Sequence, residues 1–96
     1  MSYFSAGDWM VKEGHADNSF LQAWLGSVDM DPPIRGLKVR PRLLKDLNRP
    51  GHYLSFAEWE SREAIEAFRA RPDFPAAMAR IRAYADFTIY TLEEIP

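Results

Sequence analysis

The segment Arg42-Leu-Leu-Lys-Asp-Leu-Asn-Arg-Pro-Gly-His-Tyr-Leu-Ser-Phe-Ala-Glu-Trp-Glu-Ser61 leaves the chain few conformational choices. Pro50-Gly51 separates two apolar-rich stretches and suits a type II turn, proline supplying the fixed φ and glycine the positive φ. Residues 52–59 then read as a strand. Ser61 follows where a helix start needs a side-chain oxygen for an unpaired backbone N–H, and Glu63 falls near the positive end of the helix dipole. Upstream of the turn, Leu37, Val39, Pro41 and Leu43 alternate with Lys38, Arg40 and Arg42, which predicts a strand over about 35–44. Pro41 has no ladder donor, so this strand belongs at a sheet edge or a bulge.

The remaining elements arrange themselves around this hairpin. Residues 3–12 read as a first strand, with Tyr3, Ser5, Gly7, Trp9 and Val11 on one face. Phe20, Leu21, Trp24, Leu25 and Val28 recur at helical spacing over about 17–28, with Asp17 or Asn18 as the N-cap. Asp31-Pro32-Pro33 ends that region. A second helical run starts after Ser61, is interrupted by Pro72-Asp73-Phe74-Pro75, and resumes through Met78, Ile81 and Ala85. Phe87 begins the last strand. The order βαββαβ predicts an α+β, ferredoxin-like domain: a four-stranded antiparallel sheet with the helices on one face. Both sheet faces carry large apolar groups, yet the helices can cover only one. The other is therefore expected to pack against a second copy of the chain in a homodimer.

Composition narrows the function classes. Ninety-six residues fit a single domain spanning 1–96, and the chain has no cysteine, which excludes disulfides, thiolate metal sites and cysteine nucleophiles. A formal net charge of −2 with interspersed signs argues against nucleic acid as partner. No apolar run approaches the ~20 residues of a membrane span, and the first residues lack the basic and apolar regions of a signal peptide. The expected location is the cytoplasm.

Several residues are candidates for chemistry. Trp59 closes the third strand on the face of Tyr53, Ser55 and Ala57, where its indole N–H could bind a substrate oxygen; the competing reading is packing. Trp9 and Trp24 read as core residues that could also face a cavity, since a buried indole N–H needs a partner. His52 is the candidate for proton transfer because a strand carries it toward Trp59; exposure in a loop competes. His15 and His52 lack further ligands at useful spacing, so no metal site is expected. Arg40 could recognise an anionic or phenolate substrate through its planar donors, against the alternative of a solvated edge that discourages aggregation. Tyr84 could donate to a substrate carbonyl or serve the core.

The order and spacing of several pieces resemble one family across residues 2–95. They are Trp-Met-Val-Lys-Glu-Gly14 before a Phe-Leu-x-x-Trp helix, Leu-Leu-Lys-Asp-Leu47, Pro-Gly-His-Tyr-Leu-Ser-Phe56, Trp59-x-Ser61-x-Glu-Ala64, Phe68-Arg-Ala-Arg-Pro-Asp-Phe74 and Tyr-Thr-Leu92. The chain thus resembles the antibiotic biosynthesis monooxygenase-like domain of the dimeric α/β-barrel superfamily. The resemblance implies a small homodimer with a pocket between sheet and helices. It also implies oxidation of a small aromatic or quinol-type molecule by molecular oxygen without metal, flavin or other cofactor. A non-catalytic ligand-binding or stress-related dimer of the same fold is the alternative. The haem-degrading branch uses Asn, Trp and His where this chain has Gly7-Asp8, Phe68 and Met78, which argues against haem degradation.

Overall fold

The alternating pattern at the N-terminus forms strand β1 (Tyr3–Val11) in a computed structural model that describes residues 2–96. It is followed by α1 (Asp17–Val28), β2 (Arg42–Lys45), β3 (His52–Trp59), α2 (Arg62–Arg69), α3 (Phe74–Arg82) and β4 (Ala85–Glu93). The strands make one antiparallel sheet in the order β2-β3-β1-β4, the arrangement of a ferredoxin-like βαββαβ fold whose second helix is broken in two. The break lies between Arg69 and Phe74, within the interruption that the sequence predicts at Pro72-Asp73-Phe74-Pro75, and Pro75 fits the first turn of α3.

Turn and cap chemistry act where expected in the central hairpin. His52 N–H donates to the Arg49 carbonyl across Pro50-Gly51 at 3.2 Å, with Gly51 at φ +80°. Ser61 Oγ accepts from Ala64 N–H at 3.1 Å and caps α2.

Three expectations need correction. Strand β2 is shorter than 35–44, because the ladder begins only after Pro41, which offers no donor; Leu37 makes an isolated bridge to Trp59 instead. Neither Asp17 nor Asn18 caps α1: Ala16 holds the N-cap position without a side-chain bond, and the Asp17 carboxylate accepts the Tyr53 hydroxyl at 2.7 Å. That carboxylate, helped by burial, pushes the Tyr53 phenol up to about 12. The last helix also ends at Arg82, and β4 begins at Ala85, earlier than Phe87.

Strand parity divides the sheet. Ser5, Gly7, Trp9, Tyr53, Ser55, Ala57 and Trp59 face the helices. Phe4, Ala6, Asp8, His52, Leu54, Phe56, Tyr90 and Leu92 lie on the opposite face, in register across β3, β1 and β4. Under the helices the apolar interior forms two clusters where a small domain ordinarily has one. The first joins Trp9, Phe20, Trp24, Tyr53, Ile81 and Ala85; the second joins Ala57, Trp59 and Ile65.

Candidate functional site

Between those two clusters runs a cleft, walled on one side by the sheet and on the other by helices and the loop before β2. Trp9, Trp24, Trp59, Phe68, Phe74 and Met78 supply most of its apolar lining. Its free space, ≈ 80 Å³ for the centres of water-sized molecules, is several times the ~10–15 Å³ one buried water requires. Trp59 and Phe68 pack at 5.4 Å between ring centroids, and Phe68 meets Phe74 edge-on at 5.2 Å. Trp9 is held by Phe87 at 4.8 Å and Phe20 at 5.9 Å.

Two crossed hydrogen bonds fix the indoles. Trp9 on β1 donates from Nε1 to Ser55 Oγ on β3 at 2.9 Å, and Trp59 on β3 donates to Ser5 Oγ on β1 at 2.9 Å. Parity places both serines on the helix-facing side, two residues from a tryptophan's partner position. The Trp59 N–H, expected to meet a substrate oxygen, is thus already engaged within the protein.

Arg69 is the ionisable residue in the cleft lining. Its guanidinium reaches across to β4, donating to Thr91 Oγ1 and, at 2.9 Å, to the Tyr90 carbonyl. Both partners are neutral, and among the described residues no carboxylate pairs with it. Burial without a counter-charge holds its pKa below the ordinary guanidinium value.

Trp59, Trp9 and Trp24 are therefore brought to one cleft, whereas the other sequence candidates lie elsewhere. Residues 52 and 59 have opposite parity, so the strand that carries His52 along the sheet turns it away from Trp59. The buried imidazole is clamped on the open face, Nδ1 to Asp46 Oδ2 and Nε2 to Asp8 Oδ1, each at 2.7 Å. Both hydrogen bonds raise its pKa, and the bond to His52 lowers that of Asp46. Arg40 forms a two-pronged pair with Asp29, 2.8 and 3.2 Å, on the outside of the loop before β2. Tyr84 packs edge-on against His15 at 5.7 Å and does not line the cleft.

Of the positions compared with the haem-degrading branch, Gly7, Phe68 and Met78 line the cleft, whereas Asp8 lies on the opposite face against His52. Sequence reasoning missed Ser5, Ser55 and Arg69. Parity alone could have found the serines. Arg69 had no such signal, since its partners Tyr90 and Thr91 lie on β4, 21 and 22 residues away.

A sequence model of the family described as antibiotic biosynthesis monooxygenase matches residues 39–80. Comparison with curated proteins returns no match. Among solved structures, the chain resembles SnoaB, a cofactor-independent oxygenase from Streptomyces nogalater, with TM-score 0.85 and 18% identity over 99% of this chain and 94% of that one. A second, described as an antibiotic biosynthesis monooxygenase, gives TM-score 0.75 and 23% identity with 100% of both chains covered. A candidate antibiotic biosynthesis monooxygenase from Deinococcus radiodurans gives 0.80 and 20% over 98% of this chain and 93% of that one. Among the described residues no helix is long and apolar enough to cross a membrane. The chain thus shares the fold of these structures along its whole length, and over residues 39–80 its sequence is similar to the antibiotic biosynthesis monooxygenase family.

Proposed function

We propose that the protein is a cofactor-independent monooxygenase that oxidises a small aromatic or quinol-type molecule in the cleft between Trp9 and Trp59. The observation that carries this reading is the cleft itself: an apolar, aromatic-walled space that reaches Trp59 and contains one uncompensated cation, Arg69. The family match and the likeness to SnoaB support it. In such a reaction a substrate anion passes an electron to molecular oxygen. For a ring methylene oxidised to a carbonyl, one oxygen atom enters the product; the other leaves as water with the two hydrogens the methylene gives up. The protein's part is to exclude water and stabilise the anion, and Arg69 suits the second task.

The cleft lining offers no carboxylate or imidazole as a base. The substrate must then arrive already ionised, or lose its proton to water at the cleft mouth. This same feature favours the second reading, a non-catalytic binding protein with the same cleft. Oxygen uptake by the pure protein with a panel of anthrones and hydroxynaphthoquinones separates them. Uptake above buffer supports the monooxygenase; ligand-induced thermal shifts with uptake equal to buffer support the binding protein. The Asn, Trp and His types of the haem-degrading branch are missing at Gly7-Asp8, Phe68 and Met78, so haem cleavage is not proposed.

The working form is a homodimer through the open sheet face, where Leu44, Phe56, Tyr90 and Leu92 are all at least two-fifths exposed. The protein works in the cytoplasm, a location that a cysteine-free chain fits.

A further inference from the structure

Three serines line the cleft, and their hydroxyl protons differ in what is left for a ligand. Ser27 Oγ donates its proton to the Trp24 carbonyl at 2.6 Å. Ser5 and Ser55 instead accept, each from an indole N–H at 2.9 Å. A serine hydroxyl carries one proton and two lone pairs, so accepting leaves its O–H unspent. Among the described residues neither O–H has an acceptor. Ser55 is buried and Ser5 half-buried, and a desolvated donor without a partner is destabilising. The two are diagonal neighbours across the β1–β3 ladder, since Ser5 pairs with Ala57 and Gly7 with Ser55. That geometry puts them roughly 7 Å apart on one wall.

We propose that Ser5 and Ser55 are the groups that hold the oxygen atoms of the ligand, so that the cleft selects oxygenated aromatic rings over bare hydrocarbons of the same shape. Trp59 and Trp9 are positioning residues. Each fixes a serine rotamer and, by donating to its oxygen, makes the remaining O–H a better donor. A carbonyl or phenolate oxygen fits such donors; a ring edge without oxygen leaves both unsatisfied. The inference rests on the cleft being the ligand site of the proposed function, but not on turnover there.

The test compares binding of 1,4-naphthoquinone and naphthalene to the intact protein, to S5A, S55A and the double variant, and to S5T and S55T. The wild type is expected to prefer the quinone. Each alanine is expected to reduce that preference roughly fivefold, the worth of one neutral hydrogen bond, while threonine retains it. Infrared spectra of the bound quinone should show a carbonyl stretch lowered in the wild type and restored toward its free value in the alanine variants. A serine that merely satisfies an indole would change melting temperature but neither the ligand preference nor the carbonyl frequency. Equal preference in wild type and alanine variants overturns the proposal, as does failure of the wild type to bind either probe. If the double variant does not fold, the single variants carry the comparison. Oxygen uptake is read separately: a serine-dependent preference without uptake overturns the monooxygenase and leaves the serines in place.

Discussion

The indole of Trp9 lies across the backbone of Gly7, so close that a Cβ built on Gly7 would fall 2.5 Å from Trp9 Nε1. The residue types are coupled: the ring lies flat against the sheet only because position 7 has no side chain. Trp9 cannot easily swing aside, since Ser55 holds its N–H and Phe20 and Phe87 flank it. Gly7→Ala should therefore destabilise by about 1–3 kcal/mol, the usual cost of forcing atoms into a packed site. It should also shift tryptophan emission as Trp9 is displaced into the cleft. Urea denaturation and fluorescence of the same samples check both effects.

Trp59→Phe separates the ring of Trp59 from its N–H. The side chain is 2% exposed, so the smaller ring leaves a gap and Ser5 loses its donor. A loss of roughly 1–3 kcal/mol is expected. If turnover or quinone binding falls far more than that loss explains, the indole serves the site; a change confined to melting temperature would reduce it to packing.

The clamp of Asp8 and Asp46 on His52 makes stability depend on pH with a definite sign. The folded pKa of His52 is raised above its ordinary 6.5, first by the hydrogen bond to Asp46 and then by that to Asp8. Its contribution is complete below about 6.5 and is lost as pH rises through the raised value. The Asp46 pKa is lowered from 3.8, chiefly by His52, so its contribution is present above about 3.8 and is lost as pH falls through the lowered value. The cluster is most stabilising between those limits. Melting temperature followed from pH 5 upward should fall through and above neutrality, and His52→Gln should flatten that fall. Oxygen uptake or ligand binding per folded molecule should be unaffected by the variant, because His52 faces away from the cleft.

Arg69→Gln keeps an amide donor and removes the charge. Affinity for an ionised ligand such as 1-hydroxy-2-naphthoate should drop about tenfold, the worth of a charge-assisted bond, while that for neutral 1-naphthol should hold. Equal losses for both ligands would mean that Arg69 shapes the cleft and does not read charge. Titration calorimetry with the two compounds makes the comparison directly.

What was legible beforehand follows from which interactions are local. Gly51, Ser61, Pro41 and Pro75 act on their own backbone neighbours, so turn, cap, edge and helix break could be read from adjacent residues. Strand period placed Trp9 and Trp59 on the helix-facing side. The same period, applied to residue 52, already sends His52 to the other side, because nearness along a strand is not nearness in space. Tertiary partners were hidden. Asp17 is claimed by Tyr53, 36 residues away in sequence, and not by its own helix. Arg69 is held at the cleft by Tyr90 and Thr91, 21 and 22 residues away, which no local pattern encodes.

The open sheet face yields the last prediction. Phe56 and Tyr90 both flank Ala6, one on β3 and one on β4, and Phe4 pairs with Leu92 beside them. These side chains form a continuous apolar strip across three strands; Phe56, Tyr90 and Leu92 are 41%, 45% and 42% exposed. Leaving such a strip in water forfeits the burial free energy that a second copy would recover, about 25 cal/mol per Å². Sedimentation should therefore show a species of twice the 11.1 kDa chain mass. Phe56→Glu puts a charge at the centre of the strip, where pairing two copies would bury it twice, and should shift the equilibrium to monomer by at least tenfold. Because Phe56 also borders the cleft, the less invasive Leu92→Lys should act in the same direction from outside it. A wild type that sediments as a monomer at every concentration would refute the dimer, whatever the variants do.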